Sequence, residues 1–220
     1  MSQHFSFRQP LLLAAALSVL LFCLAPSATA EPIMTIEQKY FAGEATSVDI
    51  ELVIGSLEIE GKRGRNVEVV VELSCTRDDK EKCKRRAERI RLRPRLSGEK
   101  LYLALENTPR GRAGGIEAKM KIRMPKKMGL EIDIGGGDMK IEDIYGDIEI
   151  ASAGGSVDFT GDQDKVARFK ADVGFGSGEL ILKDGRIEAT GLPRSIKWSG
   201  QGQQRIEIDL GGGEIVARLE

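Results

Sequence analysis

Three passages in the second half of the chain are copies of one another. Glu131-Ile132-Asp133-Ile134-Gly135-Gly136-Gly137-Asp138-Met139 matches Lys170-Ala171-Asp172-Val173-Gly174-Phe175-Gly176-Ser177-Gly178-Glu179-Leu180, and both match Glu207-Ile208-Asp209-Leu210-Gly211-Gly212-Gly213-Glu214-Ile215. The equivalent aspartates Asp133, Asp172 and Asp209 lie 39 and 37 residues apart. Weaker copies at Glu149-Ile150-Ala151 and Glu188-Ala189-Thr190 halve the period to about 19. A smaller unit runs through all of them: Gly, an acid or Ser, then apolar-x-apolar. It reads GDMKI at 137–141, GDIEI at 146–150, GSVDF at 155–159 and GELIL at 178–182. In an extended triplet such as Ile148-Glu149-Ile150, two side chains point to one face and one to the other. One such turn buries too little surface to stand alone. Stacked turns share a continuous apolar interior, to which each buried Ile or Val contributes roughly 1.5–3 kcal/mol. Glycine supplies the positive φ of sharp corners. This pattern predicts a C-terminal β-solenoid or β-roll of Gly-cornered repeats over residues 128–220. Its last strand, Ile215-Val216-Ala217-Arg218-Leu219, is expected to cap an open edge.

The preceding part, residues 31–127, reads as β-sheet with one short helix. Period-two alternation marks Ser47 to Ile54, Leu57 to Glu60, residues 67–73 and Leu101 to Leu105. Ser97-Gly98 between the alternating runs 90–96 and 101–105 predicts a hairpin. Pro94 places the first of those strands at a sheet edge, because proline cannot donate to a ladder. The exception is 76–88, which lacks turn residues and is rich in helix formers. Asp78 and Asp79 sit where a helix N-terminus favours negative charge, and Lys84, Arg85 and Arg86 follow where cations are favoured. The fold expected is therefore all-β, a sheet region with one helix running into the repeats.

Residues 1–30 read as a secretory signal peptide. Arg8 and no acid precede the apolar run 11–25, and Ala28-Thr29-Ala30 offers small residues for cleavage after Ala30. The run is short of the roughly 20 residues a membrane span needs, so the mature chain is expected to carry no transmembrane helix. An uncleaved anchor is the alternative. Phe22 before Cys23 does not fit a lipoprotein signal, which wants a small residue there. The mature chain would begin at Glu31, periplasmic or secreted. Removing the signal removes His4 and Cys23 and leaves no histidine and two cysteines, Cys75 and Cys83. Catalysis by Ser-His-Asp or Cys-His is then excluded, as is a His-based zinc site. An exported cysteine pair reads as a disulfide. The C-x7-C spacing is not that of a redox C-x-x-C motif.

The strand-rich first half, the helix after NVEVVVELS, the KIRMP strand at 121–125 and the GDIEI and GGSVDF repeats resemble a bacterial family of exported β-repeat proteins. The domain of that family is known as an adhesin of unknown function. The resemblance covers about residues 45–220. The family's regular Ser-Gly-Asp-Ile repeat is replaced here by Gly-Gly-Gly or Gly-Phe-Gly-Ser-Gly in several copies, and LPRSIKWSG at 192–200 departs further. It implies surface contact and brings no catalytic residues.

Site readings are weighed against this frame. Repeated Gly-Asp turns invite calcium, but the calcium-roll nonapeptide is not reproduced, and corner acids more often bond their own backbone. Neither a metal nor a cofactor is expected. Gly135-Gly136-Gly137 and Gly211-Gly212-Gly213 precede strands, whereas a phosphate loop precedes a helix. Asp133, Asp172 and Asp209 would serve a glycan-acting enzyme built from carboxylates alone, although repeats recur first for structural reasons. The net charge of −1 argues against nucleic acid as a partner. The charge is unevenly spread, net +6 over 31–127 and net −8 over 128–220. Arg91, Arg93 and Arg95 share one strand face, and Lys119, Lys121 and Arg123 share another. If those strands lie together, the six form a stripe beside Lys84, Arg85 and Arg86 able to hold an anionic lipid or an acidic partner. A solvated face guarding a strand edge is the favoured reading, since charge runs usually mean exposure. Trp198 is the best single aromatic for a glycan contact, but a core or cap residue is the favoured reading, and a lectin site is not supported. The leading expectation is a non-enzymatic envelope protein, adhesin-like or scaffold-like, with an unidentified envelope or surface partner. Anion binding through the basic face is the alternative, and a carboxylate enzyme comes third.

Overall fold

Period-two alternation does form strands throughout the computed structural model, which describes residues 32–76, 79–108 and 115–220. The signal sequence expected over 1–30, with His4, Cys23 and the cleavage point after Ala30, lies outside the described residues. Fifteen strands and one α-helix are present among the described residues. In chain order they are β1 (Met34–Phe41), β2 (Ser47–Leu52), β3 (Ser56–Lys62), β4 (Asn66–Cys75), α1 (Lys80–Ala87), β5 (Arg91–Ser97), β6 (Lys100–Glu106), β7 (Ile116–Pro125), β8 (Gly129–Ile134) and β9 (Gly137–Glu142). There follow β10 (Ile148–Ser152), β11 (Gly155–Gly161), β12 (Val166–Leu182), β13 (Gly185–Glu188), β14 (Arg194–Ser199) and β15 (Gln204–Leu219).

The Gly-cornered units stack as rungs in parallel register. β2 pairs with β8, β8 with β10, and β10 with residues 206–210 of β15; past the corner, β3 pairs with β9, β9 with β11, and β11 with residues 213–219 of β15. β12 pairs with β15 along nearly its whole length. Close approach of main chain explains the glycines that start the second strand of a rung. A Cβ on Gly155 would lie 1.9 Å from the carbonyl oxygen of Gly137, and one on Gly213 would lie 1.8 Å from that of Gly155. These corners also hold φ of +123° and +134°, which side-chain-bearing residues rarely adopt.

The expected solenoid or roll is not what forms. A solenoid stacks its turns in chain order, but here the order is β2/β3, β8/β9, β10/β11, β15, β12. The final strand is therefore an interior one, paired on both sides, and the expected role of residues 215–219 as an edge cap is corrected. The short β13 and β14 pair with the far side of β12 instead. Equivalent corners make equivalent neighbours, so the repeat specifies that rungs stack without specifying their order. At the other end the sheet continues through antiparallel pairs, β7 with β4, β4 with β1, and β6 with β5. The result is one large, nearly closed, barrel-like sheet whose main path ends at β1 and β5, with β13 and β14 as further edge strands beyond β12. Pairing of β2 with β8 and of β3 with β9 carries the sheet across residues 127 and 128, and residues 31–220 form one unit.

The rungs share one interior. Ile50, Leu57, Leu130, Ile150, Phe159, Phe169, Ile208 and Ile215 are all buried in a single apolar cluster, while the residues between them face outward. Helix α1 is short, eight residues, and buries only Cys83 and Ala87. Isolated helices of that length are marginal in water. Asp79 caps it by accepting the Lys82 N–H at 3.0 Å, and the Cys75–Cys83 disulfide ties it to the end of β4. Pro94 lies on edge strand β5, and the β5–β6 hairpin turns at Gly98 with φ +59°.

Candidate functional site

Parallel, in-register rungs place equivalent outward side chains about 4.8 Å apart in straight rows. One row runs Asp49, Glu131, Glu149, Glu207, Lys170, Lys197 across β2, β8, β10, β15, β12 and β14. The next runs Glu51, Asp133, Ala151, Asp209, Asp172, Ser195. The three repeated aspartates thus share one outer face, Asp209 directly beside Asp172 and Asp133 two rungs from Asp209. They line a shallow hollow of about 440 Å³ with Gly135, Gly174 and Gly211. The first row carries as many acids as its aspartate neighbour, four each, and is legible in the repeats, since on the five parallel strands each of its members stands two residues before a member of the second.

Lysines close the acidic face on two sides. Lys100 reaches Glu131 at 2.5 Å, and Lys170 bridges Asp172 at 3.0 Å and Glu207 at 2.5 Å. The two carboxylates hold the Lys170 ammonium well above the ordinary lysine range. Asp172 is held below the usual carboxylate range by Ser195, its register partner, and then by Lys170. Asp49 moves the other way, raised by partial burial and next by the neighbouring charge of Glu131. A general acid for glycan cleavage needs an elevated pKa, so Asp172 is tuned away from that task. Among the described residues no group of three or more acid, cysteine or histidine side chains is placed to hold a metal ion. No helix among them is long and apolar enough to cross a membrane.

The six cations do not form one stripe. Lys119, Lys121 and Arg123 face outward from β7, where they meet Glu58 at 2.6 Å, Glu72 at 2.9 Å and Glu60 at 3.5 Å. Arg91, Arg93 and Arg95 face outward from β5, at the opposite end of the pairing order, with β4 and β1 lying between β7 and the unpaired seam. Arg91 donates to the carbonyls of Glu88 and Ile90, Arg93 pairs with Glu106 at 2.9 Å, and the Arg95 guanidinium lies over the Tyr102 ring. Alternation identifies which face of a strand a residue occupies, but it carries no information about which strand lies alongside. Trp198 stands opposite Phe169 in the β12–β14 pair and packs half-buried against the core, so its ring is not a free stacking platform.

No model of a protein family matches the chain, and no curated protein matches it. Among solved structures, the chain is similar to the crystal structure of a "putative cell adhesion protein" from Clostridium sporogenes, at 13% identity and a TM-score of 0.50. The match covers 86% of this chain and 100% of that one. At this identity the likeness speaks to the fold.

Proposed function

We propose that the chain is a non-enzymatic envelope protein, adhesin-like or scaffold-like, which presents rigid β surfaces to an envelope or surface partner. The observation that carries this reading is the register itself. Side chains on the outer faces stand in fixed rows, with ion pairs along and across them, over a sheet whose interior is continuous. Such a surface is preorganised, so a partner meets it with little ordering cost. The fold of the Clostridium sporogenes structure, described as a "putative cell adhesion protein", is compatible with it. The acidic face is an open surface with a shallow hollow rather than a deep cleft, which suits contact better than turnover. Anion binding through the basic face loses its premise, because β5 and β7 are apart and most of the six cations have acidic partners.

Residues 1–30 are read as the signal that exports the chain to the periplasm or beyond. N-terminal sequencing of the protein recovered from the envelope fraction tests this, with Glu31 expected as the first residue. For the function itself, a gene-deletion strain is compared with the parent in a surface-attachment assay. Reduced attachment, restored by the full chain and not restored by a variant with Glu149, Glu207 and Asp209 changed to Lys, is the expected result. Full attachment without the protein refutes it.

A further inference from the structure

The corner of the first rung opens onto a hollow of about 780 Å³ between the β2–β3 turn and the start of β7. Leu52, Ile90, Ile116 and Ala118 make its apolar base. Val53 and Ile54 stand at its side with 43% and 41% of their surfaces exposed. Small-molecule sites have about this volume, roughly 300–1,000 Å³, with mostly apolar walls and a few polar groups.

The remaining wall is bare main chain, residues 135–137 and 154–155 of the next two corners. Two kinds of glycine meet there. Gly137 and Gly155 are demanded by the fold, through positive φ and contact with the preceding rung. Gly136 and Gly154 are not. Neither has a positive φ, and a Cβ on them would lie 3.4 and 3.3 Å from the carbonyl oxygens of Gly154 and Gly212. At the equivalent corner of β12, opposite Gly212, the chain carries Phe175, 79% exposed. A side chain at this place is therefore compatible with stacking. Bare main chain at 136 and 154 keeps the hollow open rather than the rungs together.

The charge of the hollow has one sign. Its charged residues are Glu117 and Asp138, with no lysine or arginine among the described residues that form it. Glu117 is exposed, and Asp138 accepts the Ser156 hydroxyl at 2.7 Å. Neither carboxylate has an ion-pair partner among the described residues. Two lysines on the strands that carry these acids are engaged elsewhere, Lys119 with Glu58 and Lys140 with Glu142.

We propose that this hollow binds a small amphiphilic cation, a free single-chain amine. Its alkyl body lies over the bare corners and the apolar base, where it displaces water. Its ammonium, a donor of three hydrogen bonds, turns toward Glu117 and Asp138. Both acids are open to solvent, so they select the sign of the ligand more than they add affinity. The proposal goes beyond the adhesin-like reading and stands without it, since it concerns only what this hollow holds.

The test titrates n-octylammonium chloride into the purified chain, followed by calorimetry and by amide NMR. Saturable binding is expected, with shifts centred on residues 53–56, 116–118, 135–138 and 154–155, and with affinity that falls as salt is raised. Octanoate is expected to bind about tenfold more weakly. The double variant Glu117→Gln, Asp138→Asn loses about fivefold for octylammonium and most of its preference over octanoate. Gly136→Leu, which fills the hollow, abolishes binding, with its melting curve as the control for folding. The comparison of octylammonium with octanoate tests the same claim on the unaltered protein. No saturation at millimolar octylammonium, equal affinity for octanoate, or shifts centred on Glu149 and Glu207 would each overturn the proposal. So would a folded Gly136→Leu variant that binds unchanged. A lysine-bearing peptide that displaces the amine and binds more tightly would make the occupant a protein and overturn it as well. Binding seen only after Arg110→Ala and Arg112→Ala would do the same, because the chain's own cations would then answer the two acids.

Discussion

Within one corner, two adjacent glycines are expected to answer the same substitution very differently. Gly155→Ala places a methyl group 1.9 Å from the Gly137 carbonyl oxygen and 2.9 Å from the Gly137 nitrogen, on main chain with φ +123°. The backbone conformation alone costs roughly 1–3 kcal/mol for a residue bearing Cβ. Relieving the contact moves the two rungs apart by more than about 1 Å, which stretches ladder bonds beyond hydrogen-bond length and loses roughly 1 kcal/mol for each of one or two. The sum is about 2–5 kcal/mol, a large share of a typical folding free energy. Gly154→Ala places its methyl 3.3 Å from the Gly212 carbonyl oxygen, with no positive φ to satisfy. A shift of a few tenths of an ångström accommodates it, and the lower entropy of the unfolded chain offsets the strain by roughly 0.4–1 kcal/mol. Urea denaturation followed by circular dichroism reads both variants. With a slope of about 2–3 kcal/mol/M, the Gly155→Ala midpoint falls by about 0.7–2.5 M, and the Gly154→Ala midpoint stays within about 0.3 M of the parent. Equal midpoints for the two variants would refute the carbonyl-contact account of the corner.

Other consequences are as direct. Changing Cys75 and Cys83 together to Ser removes a short closed loop and costs about 2.5 kcal/mol in the chain-entropy model, with the loss of protection on hydrogen exchange expected first in α1. Phe159→Ala opens a cavity in the middle of the shared interior and lowers stability by about 3–5 kcal/mol in the same denaturation assay. Asp49 has a raised pKa in the folded protein, so the fold holds its proton more tightly than the unfolded chain does, and its charge destabilises the fold once pH rises above that pKa. Asp49→Asn is therefore expected to raise the melting temperature by about 1–3 °C at pH 7, with no gain at pH 2, where the carboxyl is protonated in both states. A stabilisation that persists unchanged at pH 2 would mean the charge is not its source.

The alternating runs at 47–54, 57–60, 67–73 and 101–105, the hairpin at Ser97-Gly98, the helix with its acidic start and the Cys75–Cys83 bridge all carry local signals, and all are formed. Strand β1 was not evident, because Gln38 stands where alternation asks for an apolar residue, and it is the side chain that ends with a buried, unpaired oxygen. Strands β13 and β14 lie in a passage that breaks the repeat, so period alone missed them. The acidic face was half visible through Asp133, Asp172 and Asp209, since any parallel stacking of identical rungs brings such positions into one row. The basic stripe was not there to be found. Its two strands are separated by pairings between residues distant in sequence, and no local pattern encodes those.

Insertion of β15 between β10/β11 and β12 has a consequence in time. Until residues 204–219 are available, the strands of residues 166–182 have no neighbour to join the rest of the sheet, and two blocks of structure wait on the closing segment. A chain emerging from its N-terminus would complete its sheet only after nearly all of it had been released.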